Sequence, residues 1–209
     1  AGTDIKTKNN LISVTAPIVP ALERVTDGLR VLYRFNEGAG DTIYDVSGTD
    51  LPLDLKISNP SAVNWLSQGL NIDRSTVIVS SGPASKINNA CRATNELTLE
   101  AWLKPRNKVQ DGPARIITIS KNMHSRNIML GQGLWGTQPT DLYDLRLRTT
   151  ERSANGMPSF TTPEGTVQRR KMHVVVTRQR NGRTRYYIDG VITAETDIPG
   201  DFSTWNPRF

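Results

Sequence analysis

The sequence predicts an all-β fold, a two-sheet antiparallel sandwich with one short helix. Three observations predict it. Roughly ten to twelve short segments alternate apolar and polar side chains with period two. Two dipeptides, Asn181-Gly182 and Asp189-Gly190, suit the positive φ of tight hairpin loops. Only one stretch has helical spacing, so no strand-helix-strand alternation is available to build a parallel sheet.

Residues 1–27 read as an extended lead-in holding Pro17 and Pro20, without an initiator Met or the apolar centre of a signal peptide, and the sandwich is expected over residues 28–209. From Gly28 on, Leu29, Val31, Tyr33 and Phe35 alternate with Arg30, Leu32, Arg34 and Asn36, the pattern of a half-buried strand. Turn chemistry follows at Asn36–Asp41 and at Asp45–Gly48, on either side of a short strand at Thr42–Tyr44. Leu51, Leu53, Leu55 and Ile57 alternate next, and Pro52 places the start of that strand at an edge. Short strands are expected at Gly69–Ile72 and Thr76–Ser80. The helix spans Ala84–Ala93: Pro83 precedes it, and Ile87, Ala90 and Cys91 fall on one face. Cys91 is thereby read as a small buried hydrophobe.

Leu97–Lys104 forms a strand that stops at Pro105. Arg115–Ser120, with Ile117 and Ile119 on one face, and Asn127–Gly131 follow. Asp141–Thr149 sets Leu142, Asp144, Arg146 and Arg148 against Asp141, Tyr143, Leu145 and Leu147. Lys171–Arg178, Thr184–Ile188 and Val191–Ala194 complete the set, the last two joined through Asp189-Gly190.

Composition narrows the functions available. The 209 residues carry 26 Lys+Arg, 20 Asp+Glu, two His and one Cys. One Cys excludes an internal disulfide framework and a Cys-based zinc site. No apolar run approaches the ~18–20 residues of a membrane span. The net charge of +6 is uneven: residues 1–104 sum to −1 and residues 105–209 to +7, densest from Arg169 to Arg185. A polyanion footprint and a solvated sheet face are the competing explanations. With no nucleic-acid motif in the chain, no nucleic-acid partner is expected.

Hydrolysis of a polysaccharide needs two acids flanking the bond at roughly 5–9.5 Å. On its strand Glu100 stands alone, and the odd spacing of Asp141 and Asp144 turns them to opposite faces. Glu37, Asp41 and Asp45 lie in turns, where carboxylates accept from backbone N–H groups. No G-x-S-x-G or phosphate-binding loop is present. His173 sits in a β-run and His124 in a turn. Calcium is the one candidate cofactor, from the oxygen-rich turns Asn36–Asp41 and Asp45–Asp50. Trp135 stands in the glycine-rich stretch Gly131–Gly136, which either presents it to a ligand or uses it to plug the core. Trp135 and Tyr143, with Arg146 and Arg148 on the following strand, are the candidate ligand-binding residues. No catalytic residue is expected.

Leu32-Tyr33-Arg34-Phe35-Asn36-Glu37-Gly38-Ala39-Gly40-Asp41, then Tyr44–Gly48, Leu97–Pro105, His173–Arg178 and Tyr187–Val191, resemble in that order the laminin-G-like, concanavalin A-like lectin/glucanase group of bacterial secreted proteins. The resemblance implies a two-sheet antiparallel jelly roll with Trp102 and the Val174–Val176 strand in its core and a hairpin at Asp189-Gly190. It also implies an exported protein, extracellular or in the periplasm or envelope, that binds a glycan or a protein. The basic second half suits an acidic partner. The Glu-x-Asp-x-x-Glu strand motif of the glucanase relatives is absent. Relatives continue past the region matching Phe202–Trp205 with closing strands, so the resemblance implies a sandwich lacking its last strands, which leaves three alternatives: an incomplete sandwich, a cleaved or partly observed chain, or an edge completed by a partner's strand. The functional expectation is a non-catalytic module that recognises a glycan or docks into an envelope assembly; the alternative is a carbohydrate-active enzyme or a fragment of one.

Overall fold

The computed structural model describes residues 25–67, 69–110 and 112–209. Most of the expected lead-in, residues 1–24, lies outside the described residues. The elements are β1 (Thr42–Ile43), β2 (Leu55–Ile57), a 3-10 turn (Pro60–Ala62), β3 (Val63–Leu66), β4 (Gly69–Ile72), β5 (Ile78–Ser80), α1 (Ser85–Thr94), β6 (Leu97–Leu103), β7 (Ala114–Ser120), β8 (Arg126–Gln132), β9 (Tyr143–Leu147), β10 (Phe160–Thr161), β11 (Met172–Arg178), β12 (Arg183–Ile188) and β13 (Val191–Asp197). The ladders between them are antiparallel.

Two four-stranded sheets, ordered β13-β12-β11-β6 and β10-β9-β8-β7, form the sandwich. Strand parity builds the layer between them. β11 turns Met172, Val174 and Val176 inward and β12 turns Tyr186, while β8 and β9 supply Ile128, Leu130, Tyr143, Leu145 and Leu147; all are fully buried in one cluster. The Phe160 and Tyr186 rings meet across the layer with centroids 5.1 Å apart. Each such aliphatic side chain contributes about 1.5–3 kcal/mol when taken out of water, so this layer is the main source of stability. The Asp189-Gly190 hairpin forms as expected, with φ of 52° and 83° at its two residues.

One end of the layer is closed by α1 and the C-terminal segment. Ala84, Cys91, Ile198, Phe202 and Trp205 join the same cluster. α1 ends where Asn95 adopts φ 59° and donates its N–H to the Cys91 carbonyl, satisfying a group the last helical turn leaves open. The Phe209 carbonyl accepts from the Ala84 N–H (2.8 Å) and from Asn88 Nδ2 (3.0 Å). At this end the inward position of β11 is Arg178, which is 2% exposed. Its guanidinium donates to the carbonyls of Asn95 (2.7 Å), Ile198 (3.2 Å) and Gly200 (2.6 Å) and lies 4.6 Å over the Phe202 ring. The turn between β11 and β12 comes so close to Ile198 that a Cβ on Gly182, whose φ is +95°, would stand 2.5 Å from its carbonyl oxygen.

The strand expected at Leu29–Phe35 does not form. Its apolar row is used, since Tyr33 and Phe35 pack with Ile43, Ile57 and Val63 in a second cluster. The backbone, however, bonds to the following turn instead of to a ladder. Leu32 N–H donates to Asp45 Oδ1 (3.1 Å), the Arg30 carbonyl accepts from Ser47 Oγ (3.1 Å), and the Leu29 carbonyl accepts from Thr49 Oγ1 (3.1 Å). Phe35 itself takes φ 53° and ends the extended run. β1, β2 and β5 form a small sheet over this cluster, and β3 pairs with β4 beside it. The short strands β3 and β10 have no alternation long enough to read from sequence.

Candidate functional site

β6 sends Leu97, Leu99 and Leu103 to the core, so parity puts Thr98, Glu100 and Trp102 on the outer face of the sheet. Trp102 is 59% exposed. This corrects the expectation that it packs the core. Opposite Trp102 in the ladder stands His173 of β11, and the two rings stack with centroids 4.3 Å apart and planes 9° from parallel.

His173 is held from two further sides. Its Nε2 lies 3.0 Å from Glu100 Oε1. Its backbone N–H donates to Asp189 Oδ1 (2.9 Å), and the Asp189 N–H donates back to the His173 carbonyl (2.9 Å). Asp189 Oδ2 accepts from Arg170 (2.6 Å). The backbone N–H of His173 and then the Arg170 guanidinium hold the Asp189 carboxyl below the usual carboxylate range. The imidazole is thus a fixed backing for the indole. The Lys171 ammonium lies 5.1 Å from the centroid of the same indole.

The register places a second tryptophan at the same end of the sandwich. β6 finishes where β11 begins, with Leu103 paired to Met172, and β8 finishes where β9 begins, with Gln132 paired to Tyr143. The loops there are tied together: Gln132 Nε2 donates to the Asn107 carbonyl (3.1 Å) and Thr140 Oγ1 to the Lys108 carbonyl (2.8 Å). In the loop after β8, Leu134 N–H donates to the Pro139 carbonyl (2.9 Å), and Trp135 stands out at 72% exposure. Of the two alternatives for this glycine-rich loop, plugging the core does not fit an indole so exposed.

The four tryptophans therefore divide into two pairs. Trp65 Nε1 donates to the Gly40 carbonyl (3.0 Å) and Trp205 Nε1 to the Arg148 carbonyl (2.7 Å), so both indoles are spent on structure. Among the described residues no hydrogen bond ties the indole N–H of Trp102 or Trp135.

The other residues expected at the site go elsewhere. Tyr143 is fully buried because β9 turns it inward beside Leu145 and Leu147, and burial pushes its hydroxyl up to about 12. This corrects its place in a ligand site. Arg146 lies on the outer face of the other sheet, where its Nε donates to Asp144 Oδ2 (3.0 Å). Burial pushes the Asp144 carboxyl up, against the pull of Ser159 and Arg146. Arg148 lies past the far end of β9, where its carbonyl meets Trp205. The structure thus does not bring Trp135, Tyr143, Arg146 and Arg148 together.

The turn carboxylate considered for calcium is already occupied by donors. Asp45 accepts from the N–H groups of Leu32, Ser47 and Leu53 and from Lys86 Nζ, with both side chains of the pair buried. Burial raises its carboxyl, and the Lys86 bond together with those three N–H groups outweighs it and pulls the value down to about 2. Among the described residues no group of three or more His, Cys, Asp or Glu side chains could hold a metal ion. The basic run also divides: Arg178 is buried, Arg183 and Arg185 both pair with Glu195, and Arg169, Arg170 and Lys171 stay at the Trp102 end.

No curated protein matches the sequence. One solved structure, the crystal structure of an HCR/D tryptophan-to-alanine mutant, is 12% identical, with 84% of this chain and 44% of that chain covered and a TM-score of 0.47. This chain spans less than half the length of that one. The laminin G model of the concanavalin A-like lectin/glucanases superfamily matches residues 80–209, the stretch that carries α1 and both sheets of the sandwich. The chain belongs to the concanavalin A-like lectin/glucanases superfamily.

Proposed function

We propose that the chain is a non-catalytic, exported binding module that holds a glycan at the sandwich end carrying Trp102 and Trp135. One observation carries the reading: two tryptophans, 59% and 72% exposed, stand at one end of the fold, while the other two are consumed by backbone carbonyls. An indole backed by a fixed imidazole offers a rigid apolar plane, and the C–H face of a sugar ring packs on such a plane at little cost in side-chain entropy. Superfamily membership supports a binding role and supports export. Among the described residues no helix is long and apolar enough to cross a membrane.

The absence of catalysis is part of the proposal. Glu100 faces His173, and Asp189 is an anion engaged by Arg170 and a backbone N–H, a poor donor of a proton to a leaving group at neutral pH. A polysaccharide panel tests both halves. Binding without release of reducing ends, weakened about tenfold or more in W102A or W135A, is expected. Reducing-sugar release by the wild type and its loss in E100Q would establish the carbohydrate-active enzyme instead.

A second reading, docking to a protein by strand addition, is favoured by one feature. β13 is a sheet edge and opens with Val191 and Ile192, 67% and 53% exposed. Loss of partner capture in I192P, with W102A and W135A still capturing, would favour it over the glycan reading.

A further inference from the structure

The charges around Trp102 say what kind of glycan this end would suit, and the inference rests on the reading of that end as a glycan site. The last paired position of β6 and β11 is Leu103 with Met172. One step beyond it Lys104 and Lys171 leave the two strands side by side, both exposed. Like charges facing across a ladder repel each other. Among the described residues neither lysine forms an ion pair; Asp189 pairs with Arg170, and Glu100 contacts His173. Lys171 brings its ammonium 5.1 Å from the Trp102 centroid. Arg169, exposed in the same approach to β11, adds a further positive charge. A rigid indole with one ammonium over its ring and a second lysine following on its own strand, neither in an ion pair among the described residues, matches a sugar ring that stacks on the indole while its acidic substituent draws the ammonium off it.

We propose that this end recognises an acidic polysaccharide whose rings carry carboxylate or sulfate groups, with a ring face on Trp102 and the acid groups against Lys104 and Lys171. The two lysines act as the specificity-determining residues. Trp102 supplies contact that any sugar could use. Contact with the acid relieves the repulsion between the lysines, so binding should weaken as salt screens the charges.

Three polymers of one backbone separate charge from shape: dextran, carboxymethyl dextran and dextran sulfate, titrated into the full chain by calorimetry. Binding of one or both charged polymers at least ~10-fold tighter than dextran is expected. Whichever binds tighter identifies carboxylate or sulfate as the group recognised. The double variant K104E/K171E should lose about 10-fold or more for the charged polymers, and the control R92E/K121E, with the same change in net charge at the other end of the fold, less than about 2-fold. Equal weakening by the control would show bulk charge alone and overturn the proposal, as would no binding to any of the three polymers. Dextran bound as tightly as its charged forms, with W102A weakening all of them, would overturn the acidic preference and leave the glycan module standing. Indifference of every polymer to W102A and W135A would remove the glycan site itself.

Discussion

The imidazole of His173 and the indole of Trp102 lie 4.3 Å apart and 9° from parallel on the outer face of the sheet. A surface tryptophan in that position is not a core residue, and its removal should show little in stability. W102A is expected to cost about 1 kcal/mol, the scale of a lost aromatic pair. W205A, which empties a buried position and frees the Arg148 carbonyl, should cost about 3–5 kcal/mol. Urea denaturation of the two variants checks the contrast, and comparable losses would mean that Trp102 packs the fold.

Arg178 is the buried cation of the opposite end. Its replacement by methionine keeps the bulk and strands the carbonyls of Asn95, Ile198 and Gly200, for an expected loss of about 3–5 kcal/mol. R178K should recover only part of this, because an ammonium cannot reach three carbonyls and stack on Phe202 with the same geometry. A methionine variant as stable as wild type would contradict the assignment.

The buried pair of Asp45 and Lys86 gives the fold an acid limit. The Asp45 carboxyl sits at about 2 when folded, below its ordinary value near 4. A depressed carboxyl stabilises fully above its unfolded value, and the gain disappears as pH falls from about 4 to about 2. The shift corresponds to about 2 kcal/mol. Urea midpoints measured across that window should fall for wild type and lack this component in D45N, which should already be weakened at neutral pH.

Asp45 also bears on calcium. Its oxygens already accept from three N–H groups and Lys86, so millimolar calcium should leave the wild-type melting temperature unchanged within about 1 °C. A rise of several degrees, reversed by chelator, would place a calcium site in the chain.

Cys91 should be inert in the native state. It is 6% exposed in the core, and burial pushes its thiol up to about 12. An aromatic disulfide reagent should label it only as fast as the protein unfolds. Rapid labelling under native conditions would contradict its place in the layer.

Much of the fold is legible in the sequence wherever one face of a strand is buried. β4 falls at its expected bounds, α1 and β6 lie within one residue of theirs, and Asp189-Gly190 makes its hairpin, because alternation and turn chemistry are local. Leu29–Phe35 alternates just as well and forms no strand, since its N–H and carbonyl groups bond to side chains of the next turn and to the Val46 N–H instead of to a neighbouring strand. The site is half legible. The glycines around Trp135 mark a loop but leave open whether its indole points outward or into the core. Trp102 was readable: it shares parity with Thr98 and Glu100, and that local signal is sounder than the core role the resemblance implied. The stack with His173 is not readable, because it depends on the register of β6 against β11, two strands about 70 residues apart. Tyr143 misleads for the opposite reason, as an aromatic beside arginines looks like a ligand residue until parity turns it inward.

The four indole N–H signals in a proton–nitrogen NMR spectrum separate the two exposed tryptophans from the two tied to backbone carbonyls. On addition of a polysaccharide that binds, the signals of Trp102 and Trp135 should move while those of Trp65 and Trp205, tied to the Gly40 and Arg148 carbonyls, stay in place. Movement of Trp65 or Trp205 with Trp102 and Trp135 unchanged would place the glycan away from the Trp102 end.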